Sequence, residues 1–486
     1  MKRILALILV LLMIAPLLLS CAKELVDETV ESTESQAIVS DPLPEANPEW
    51  EGKQYTVIFR ENYDYEWVYV EEDAGSLIND AIYQRNSSVE NRYGITLNYA
   101  PAPTASFEND FLAPITNSIM AGDDSYQLVA GYTYRLAPNS TYGNFLDWYS
   151  IPNINLEGEW WEGDFAKAAS YNKHTFIMTG SLSLSHLYSA ACIFFNQDIV
   201  NNNFTNEGGS AAVYELVKEG KWTYEAFLNY VSKCTVNDGE MTEEDTYGYA
   251  SNDTTAVDGF LFSFDIPLTT RNSKGNIVLT KQNDNEKIIN TAKKINELFN
   301  TSGYTFNQST STAGIDTHIG MMKLGRAAFT TSYLESATDL RTTDLNYGIL
   351  PYPKWDEEQE NYHGHNMDFA SSFAIPKTVS DVEFVGAVTE ALAYYSYQYV
   401  REALYGTVLK YRDAKDLDSS MSIDIILDNI KYDFSYIYAF AWGDQQGPTA
   451  LLRTCIRAGH AYIANNYEMS EKRFKSVLND FLKAFN

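Results

Sequence analysis

Positive charge is in short supply: 35 Lys and Arg stand against 65 Asp and Glu, a formal charge of −30 over 486 residues. That balance excludes nucleic acid as a partner, because phosphate neutralisation wants a basic face. An acidic surface of this kind serves solubility. Cysteine is equally scarce, at four residues. Cys192, Cys234 and Cys455 lie in the body of the chain with no CxxC spacing, so no disulfide framework is implied. Cys192, inside the apolar run Ala190 to Phe195, reads as a buried thiol. The sequence has no nucleophile elbow of the GxSxG kind, no HExxH helix, no P-loop and no dinucleotide fingerprint. His363-Gly364-His365, with Asp368 nearby, reads as a polar loop rather than a metal pair, and no metal or cofactor is expected. Beyond the first twenty residues no apolar run is long enough to span a bilayer.

What is present begins at the N-terminus. Lys2 and Arg3 precede an almost unbroken apolar run from Ile4 to Leu19, which is the pattern of an export signal and too short for a spanning helix. The run ends in Leu18-Leu19-Ser20-Cys21, which resembles the bacterial lipobox: two apolar positions and a small residue before a cysteine that takes up lipid of the palmitate type. Residues 1–20 are therefore expected to be removed and Cys21 to be lipidated. Ala22 to Pro48 is acidic, rich in Ser, Thr and Pro, and free of aromatics. Such a segment buries too little apolar surface to offset its ordering entropy, so 21–52 is expected to be a disordered, charge-extended stalk.

The body, roughly 430 residues, is long enough for two lobes with separate cores. It carries almost all of the 35 Tyr, 24 Phe and 8 Trp, and many of the Tyr fall in turn-like segments, where a flat apolar face with a polar tip suits a partly wet site. Lys53 to Arg60 reads as a strand, Leu77 to Tyr93 as a helix stopped by Gly94, Ile95 to Tyr99 as a strand, Phe107 to Ala121 as a helix and Tyr126 to Ala130 as a strand. This alternation predicts an α/β lobe with a largely parallel sheet. Further strands are expected at Ala190 to Phe195, Gly325 to Thr330 and Asn346 to Leu350. Helices are expected from Trp222 with Thr223 as N-cap, at Glu286 to Phe299, Gly314 to Leu324 and Asp381 to Tyr399, and at Glu471 to Phe485 with Ser470 as N-cap.

Five segments, in order, carry a family resemblance. They are Asn79 to Ile95, ending Glu90-Asn91-Arg92-Tyr93-Gly94-Ile95; Ala121-Gly122-Asp123-Asp124-Ser125-Tyr126-Gln127-Leu128-Val129; Ile193-Phe194-Phe195-Asn196-Gln197-Asp198, with Gly220-Lys221-Trp222-Thr223 beyond it; Met322 to Phe329; and Tyr347 to Lys354 followed by Phe373-Ala374-Ile375-Pro376. Together they resemble the extracellular solute-binding proteins of ABC importers, in the sugar-type family 1 branch that includes maltodextrin-binding proteins. Gln127 departs from the usual Asp at its position.

The resemblance implies a two-lobed α/β fold of the periplasmic-binding-protein type II. Ligand would sit in a cleft between lobes joined by crossing strands near Ser183 to Phe194 and Ser371 to Lys377. The first lobe would take 53–185 with 328–373, and the second 186–327 with 374–486. It further implies a monomeric, non-enzymatic protein. The protein would be anchored by lipid to the extracytoplasmic face of the cell membrane, capturing a mono- or oligosaccharide by lobe closure and delivering it to ABC permease subunits. A lipid-anchored surface hydrolase, a sensor subunit presenting ligand to a membrane kinase, and a cationic ligand are the alternatives.

Ligands of open α/β sheets sit beyond the carboxyl ends of the strands. That rule selects Glu61, Tyr63, Tyr65 and Trp67 after the first strand and Tyr132 and Tyr134 after the third. His186 lies near the first crossing, Tyr333 and Glu335 follow the strand that begins at Ala327, Asp368 precedes the second crossing, and Trp442 sits in a helix break. Aromatic platforms with planar polar groups are what a sugar site needs.

Overall fold

A computed structural model describes residues 41–61, 76–236, 242, 244–310, 317–443 and 446–485. Cys21, Tyr63, Tyr65 and Trp67 lie outside the described residues, as does most of the expected stalk. Two sheets organise the chain. The first has the order β11-β3-β1-β2, with β1 Gln54–Arg60, β2 Thr96–Ala102, β3 Leu128–Tyr132 and β11 Ser371–Ala374. β1 runs parallel to both neighbours, with Val57 opposite Tyr99 on one side and Leu128 on the other, while β11 is antiparallel to β3. The helix Leu77–Tyr93 connects β1 to β2. It buries Ile82, Val89 and Tyr93 and ends at Gly94, whose φ of 65° is the left-handed C-terminal conformation that glycine adopts without a Cβ penalty.

The second sheet has the order β10-β4-β9-β5-β8, with β4 Ala191–Asn196, β5 Tyr247–Ser251, β8 Thr305–Asn307, β9 Ala327–Tyr333 and β10 Tyr347–Leu350. β4 is antiparallel to β9 and β10, and β5 is parallel to β9 and β8. Every residue of β4 is buried, as a central strand covered on both faces requires. A short antiparallel hairpin, β6 Thr269–Arg271 and β7 Ile277–Leu279, stands apart from both sheets.

Three of the expected boundaries are corrected. β9 and β10 belong to the second sheet, so 328–350 does not go with the first lobe: Phe329 of β9 stacks on Phe195 of β4 at 5.9 Å, a pairing fixed by non-local packing. Residues 374–395 do not go with the second lobe. The helix Val382–Tyr395 packs on the first sheet's side, where Thr389 meets the Tyr55 hydroxyl at 2.6 Å and Phe384 contacts Tyr55. Residues 43–52 are packed rather than stalk-like, because Leu43 and Trp50 supply apolar surface that the body buries, and Arg92 donates to the Pro44 carbonyl at 3.0 Å. Trp50 meets Tyr93 and Phe384 edge-on or tilted.

The chain passes between the sheets at 181–190, at 351–370 and along a helical run Ser396–Asp413 that packs on Leu77–Tyr93 and then leads to Leu417–Asp428 beside β10. The first two passages pair with each other: Ala191 N donates to His365 O at 2.9 Å and Met367 N to Ser189 O at 3.0 Å. An apolar cluster of Ile82, Leu187, Phe194, Val400 and Leu404 fills the space between them. Among the described residues no helix is long and apolar enough to cross a membrane.

Candidate functional site

The line along which the two sheet-based bodies meet is built from short segments of both. At the end of β3 the chain turns straight into the helix Thr133–Ser140, so Tyr132 to Arg135 is not the loop the sequence suggested. This turn is pinned to the passage entering β11. Thr133 N and Oγ1 donate to Ala370 O at 2.9 and 2.8 Å, and Tyr134 N donates to Asp368 O at 3.0 Å. Tyr134 and Asp368 thereby come to line one small cavity, together with Arg453. A second small cavity, about 30 Å³, is lined by Thr133, Asn366, Asp368, Tyr432 and Tyr436. Its neighbour along the seam, about 320 Å³, shares Tyr432 with it and adds Phe262 and the β6–β7 hairpin.

Opposite these groups the second body presents a buried polar-aromatic knot. Arg453 Nε donates to Asp258 Oδ1 at 2.6 Å, and Nη2 to Oδ2. Burial alone would lower the Arg453 pKa; the Asp258 carboxylate outweighs burial and holds the guanidinium firmly charged. Burial first, and then the nearby Asp258 and Asp368 carboxylates, raise the Tyr436 phenol, so it stays a hydroxyl donor. Tyr333 is raised likewise, by burial ahead of Asp368. His365 stacks flat on Phe262, 4.9 Å between centroids and 8° between planes, with Tyr436 and Tyr333 edge-on at 5.6 and 6.4 Å. Burial, and then Arg453, bring the His365 pKa down to about 3, so its imidazole is neutral. Neither of its ring nitrogens has a hydrogen-bond partner, and Asn366 Oδ1 beside it has none. Buried polar atoms without partners are costly, and here they cluster at the seam.

Asp433 shapes the remaining edge. Its carboxylate accepts from Leu268 N and Thr269 N, both at 2.9 Å, and from Ser435 N at 2.8 Å. That ties the hairpin to the Phe434–Ile437 turn and sets Tyr432 and Tyr436 on either side of it.

The sequence-selected residues divide. Tyr134, Asp368 and Tyr333 converge on the seam. Tyr132 lies next to it, stacked on Phe369 at 5.4 Å with Arg60 over its ring at 5.1 Å. His186 is buried between the passages, its Nε2 2.9 Å from Glu162 and its Nδ1 3.2 Å from Asn366. Glu61 and Glu335 are exposed and line none of these cavities. Trp442 is a correction: its indole is buried and donates to Phe474 O at 3.2 Å, so it serves the core. Asp258, Phe262, His365, Tyr432, Tyr436 and Arg453 were not selected. The readable signal was a lone charge inside an apolar run, Asp258 in Ala256 to Phe262 and Arg453 in Ala450 to Ile456, since a buried charge implies a partner.

Chemically this is a binding constellation: phenol donors, a carboxylate, amides and flat aromatic faces, with Asp258 fully engaged by Arg453. Cavities of about 30 and 10 Å³ hold water-sized guests only. A ring-sized solute enters when the two bodies part, the hinge motion of two-lobed ligand traps.

No family model and no curated protein matches the sequence. Solved structures do match, over the whole length of the other chain. An ABC transporter solute-binding protein of Thermotoga lettingae, bound to α-D-tagatose, matches at TM-score 0.54 and 13% identity, covering 88% of this chain and 100% of its own. An ABC substrate-binding protein of Listeria monocytogenes, in complex with cycloalternan, matches at 0.53 and 9% over the same shares. The maltose-maltodextrin binding protein of Alicyclobacillus acidocaldarius matches at 0.52 and 9%, again over 88% and 100%. The chain therefore has the two-lobed α/β fold of ABC-transporter solute-binding proteins.

Proposed function

We propose that this protein is the extracytoplasmic solute-binding subunit of an ABC importer, that it captures a carbohydrate in the seam by lobe closure, and that it presents the closed form to membrane permease subunits. The observation that carries the reading is the gathering of Tyr134, Tyr333, Asp368, Tyr436 and Arg453 at the meeting line of two sheet-based bodies. Phenols and carboxylates match sugar hydroxyls, and aromatic faces match sugar rings. The saccharides named with the structural neighbours support the same class of ligand. Contacts made to both bodies at once favour the closed form by their differential free energy. Binding without turnover fits a site whose most buried carboxylate is held by an arginine.

The N-terminal pattern supports a lipid on Cys21, holding the protein at the outer face of the cell membrane beside its permease and raising its local concentration there. Palmitate labelling of the cell-expressed protein, lost in Cys21→Ser, tests the anchor. A thermal-shift screen tests the binding: a ligand that binds only the native state, at about 100 times its Kd, adds about 2.7 kcal/mol of stability. Shifts with peptides or polyamines and none with any mono- or oligosaccharide would overturn the carbohydrate assignment.

A further inference from the structure

Beyond the seam, the second body carries an open polar bowl of about 780 Å³. Its wall is Trp355, whose ring packs edge-on against Phe264 at 5.1 Å and lies under Lys294 and Lys287 at 5.4 and 5.9 Å. Its rim is a rigid turn: Asp356 Oδ1 accepts from Glu358 N and Gln359 N, both at 3.1 Å, Gln359 Oε1 accepts from Trp355 N at 3.2 Å, and Lys354 Nζ donates to Gln359 O at 2.7 Å. His363 also lines it. Its side chain is only 10% exposed and Nδ1 has no hydrogen-bond partner, while Nε2 is 3.9 Å from Asp265. Burial, ahead of Lys431, lowers the His363 pKa, so the ring is neutral and offers both a donor and an acceptor. Asn290 and Asn361 face the same space.

The bowl is continuous with the seam. It shares Asp265 and Lys431 with the 320 Å³ cavity, which shares Tyr432 with the cavity at Asp368. Among the described residues no group of His, Cys, Asp and Glu is placed to hold a metal ion. Asp265, Glu286, Asp356, Glu358 and Glu360 around the bowl repel an anion. Lys287 and Lys294 already sit over the indole, where a cationic ligand would compete with them. An uncharged, hydroxyl-rich guest that can lay a ring on Trp355 is what remains.

We propose that this bowl is an outer carbohydrate subsite, with Trp355 as its platform and His363 as its polar floor, and that the protein takes a multi-ring saccharide running from Asp368 along the seam and out to Trp355. The proposal rests on the carbohydrate reading above and extends it to chain length.

Isothermal titration of the lipidated chain in detergent tests it, with glucose, galactose, mannose and xylose and their linear oligomers up to the hexasaccharide as probes. Affinity is expected to rise with length in at least one series. Trp355→Ala and Asn361→Arg should each weaken the hexasaccharide about tenfold, about 1.4 kcal/mol, and leave the monosaccharide and disaccharide unchanged. Asn361 is an exposed rim residue, so Asn361→Arg blocks the bowl without disturbing packing, and an unchanged melting curve verifies this. Binding that does not depend on length, or a hexasaccharide affinity unmoved by Asn361→Arg, overturns the outer subsite and leaves the carbohydrate reading standing. Absence of binding by every probe overturns both.

Discussion

Arg453 Nε lies 2.6 Å from Asp258 Oδ1, and the two side chains, 195 positions apart in sequence, are 5% and 3% exposed. This pair joins the helix Ala450–Arg457 to the helix Thr255–Ser263 directly beneath the seam. Removing one partner of such a pair strands a desolvated charge. Arg453→Ala should therefore cost about 3–5 kcal/mol, read as a fall in the urea midpoint. The double replacement Arg453→Met with Asp258→Leu should recover most of that loss, because it leaves no charge unpaired. Equal destabilisation by the single and double variants would contradict the account.

How far the fold and site are legible in the sequence follows from where the information sits. Leu77–Tyr93 is readable almost residue by residue, because its apolar stripe and the Gly94 stop are local signals. Thr223 is readable as an N-cap, and it accepts from Ala226 N. Ser470 looks equally good but lies inside the helix Ile463–Leu482, since the buried stripe of Ile463, Tyr467, Phe474, Leu478 and Leu482 carries the helix through it. The partners of β9 are not readable, because strand order depends on packing between residues more than 100 positions apart. The site shows the same division. Tyr134 and Asp368 follow from the strand-end rule, whereas Tyr432 and Tyr436 enter through the non-local capping by Asp433.

Glu390 gives a pH prediction. Its carboxylate is 1% exposed and accepts from the indole N–H of Trp160 at 3.0 Å and of Trp161 at 2.8 Å. Burial outweighs these bonds and raises its pKa to about 7 from 4.5. A raised folded-state pKa means that the native state holds the proton more tightly. The stabilisation is thus complete below about pH 4.5 and is lost as pH rises towards 7. The span corresponds to about 3 kcal/mol. Glu390→Gln should flatten this part of the stability profile, at a cost of about 1 kcal/mol where its amide N–H₂ faces an indole donor. A profile with the same slope in both proteins would rule out Glu390 as its source.

Asp368 lines both small cavities of the seam and is the carboxylate best placed to accept hydroxyl hydrogen bonds there. Hydrogen bonds to a charged group contribute about 1.5–3 kcal/mol. Asp368→Asn should therefore weaken the saccharide found by thermal shift about ten- to hundredfold. Tyr134→Phe, which keeps the ring and removes the hydroxyl, should weaken it less than Tyr134→Ala. Titration calorimetry checks both, and affinities equal to the parent would remove these residues from the site.

Closure itself has a visible latch. Arg271, in the β6–β7 hairpin, reaches across to the C-terminal end of the helix Gly163–Ala169, where Nη2 donates to Lys167 O at 2.7 Å and also to Ser170 O. A guanidinium suits that place, because the unpaired carbonyls of a helix C-terminus carry partial negative charge. The contact is partly exposed, so its worth is about 1 kcal/mol after solvent screening. Because it joins the two bodies across the seam, its loss acts on the balance between open and closed forms rather than on either body alone. Arg271→Ala should shift the unliganded protein toward the open form, seen as a larger radius of gyration in X-ray scattering, and saturating saccharide should restore the compact value. Affinity should fall no more than about tenfold, since the latch touches no ligand and contributes only through the closing equilibrium. A scattering curve unchanged by the substitution would show that closure is held elsewhere along the seam.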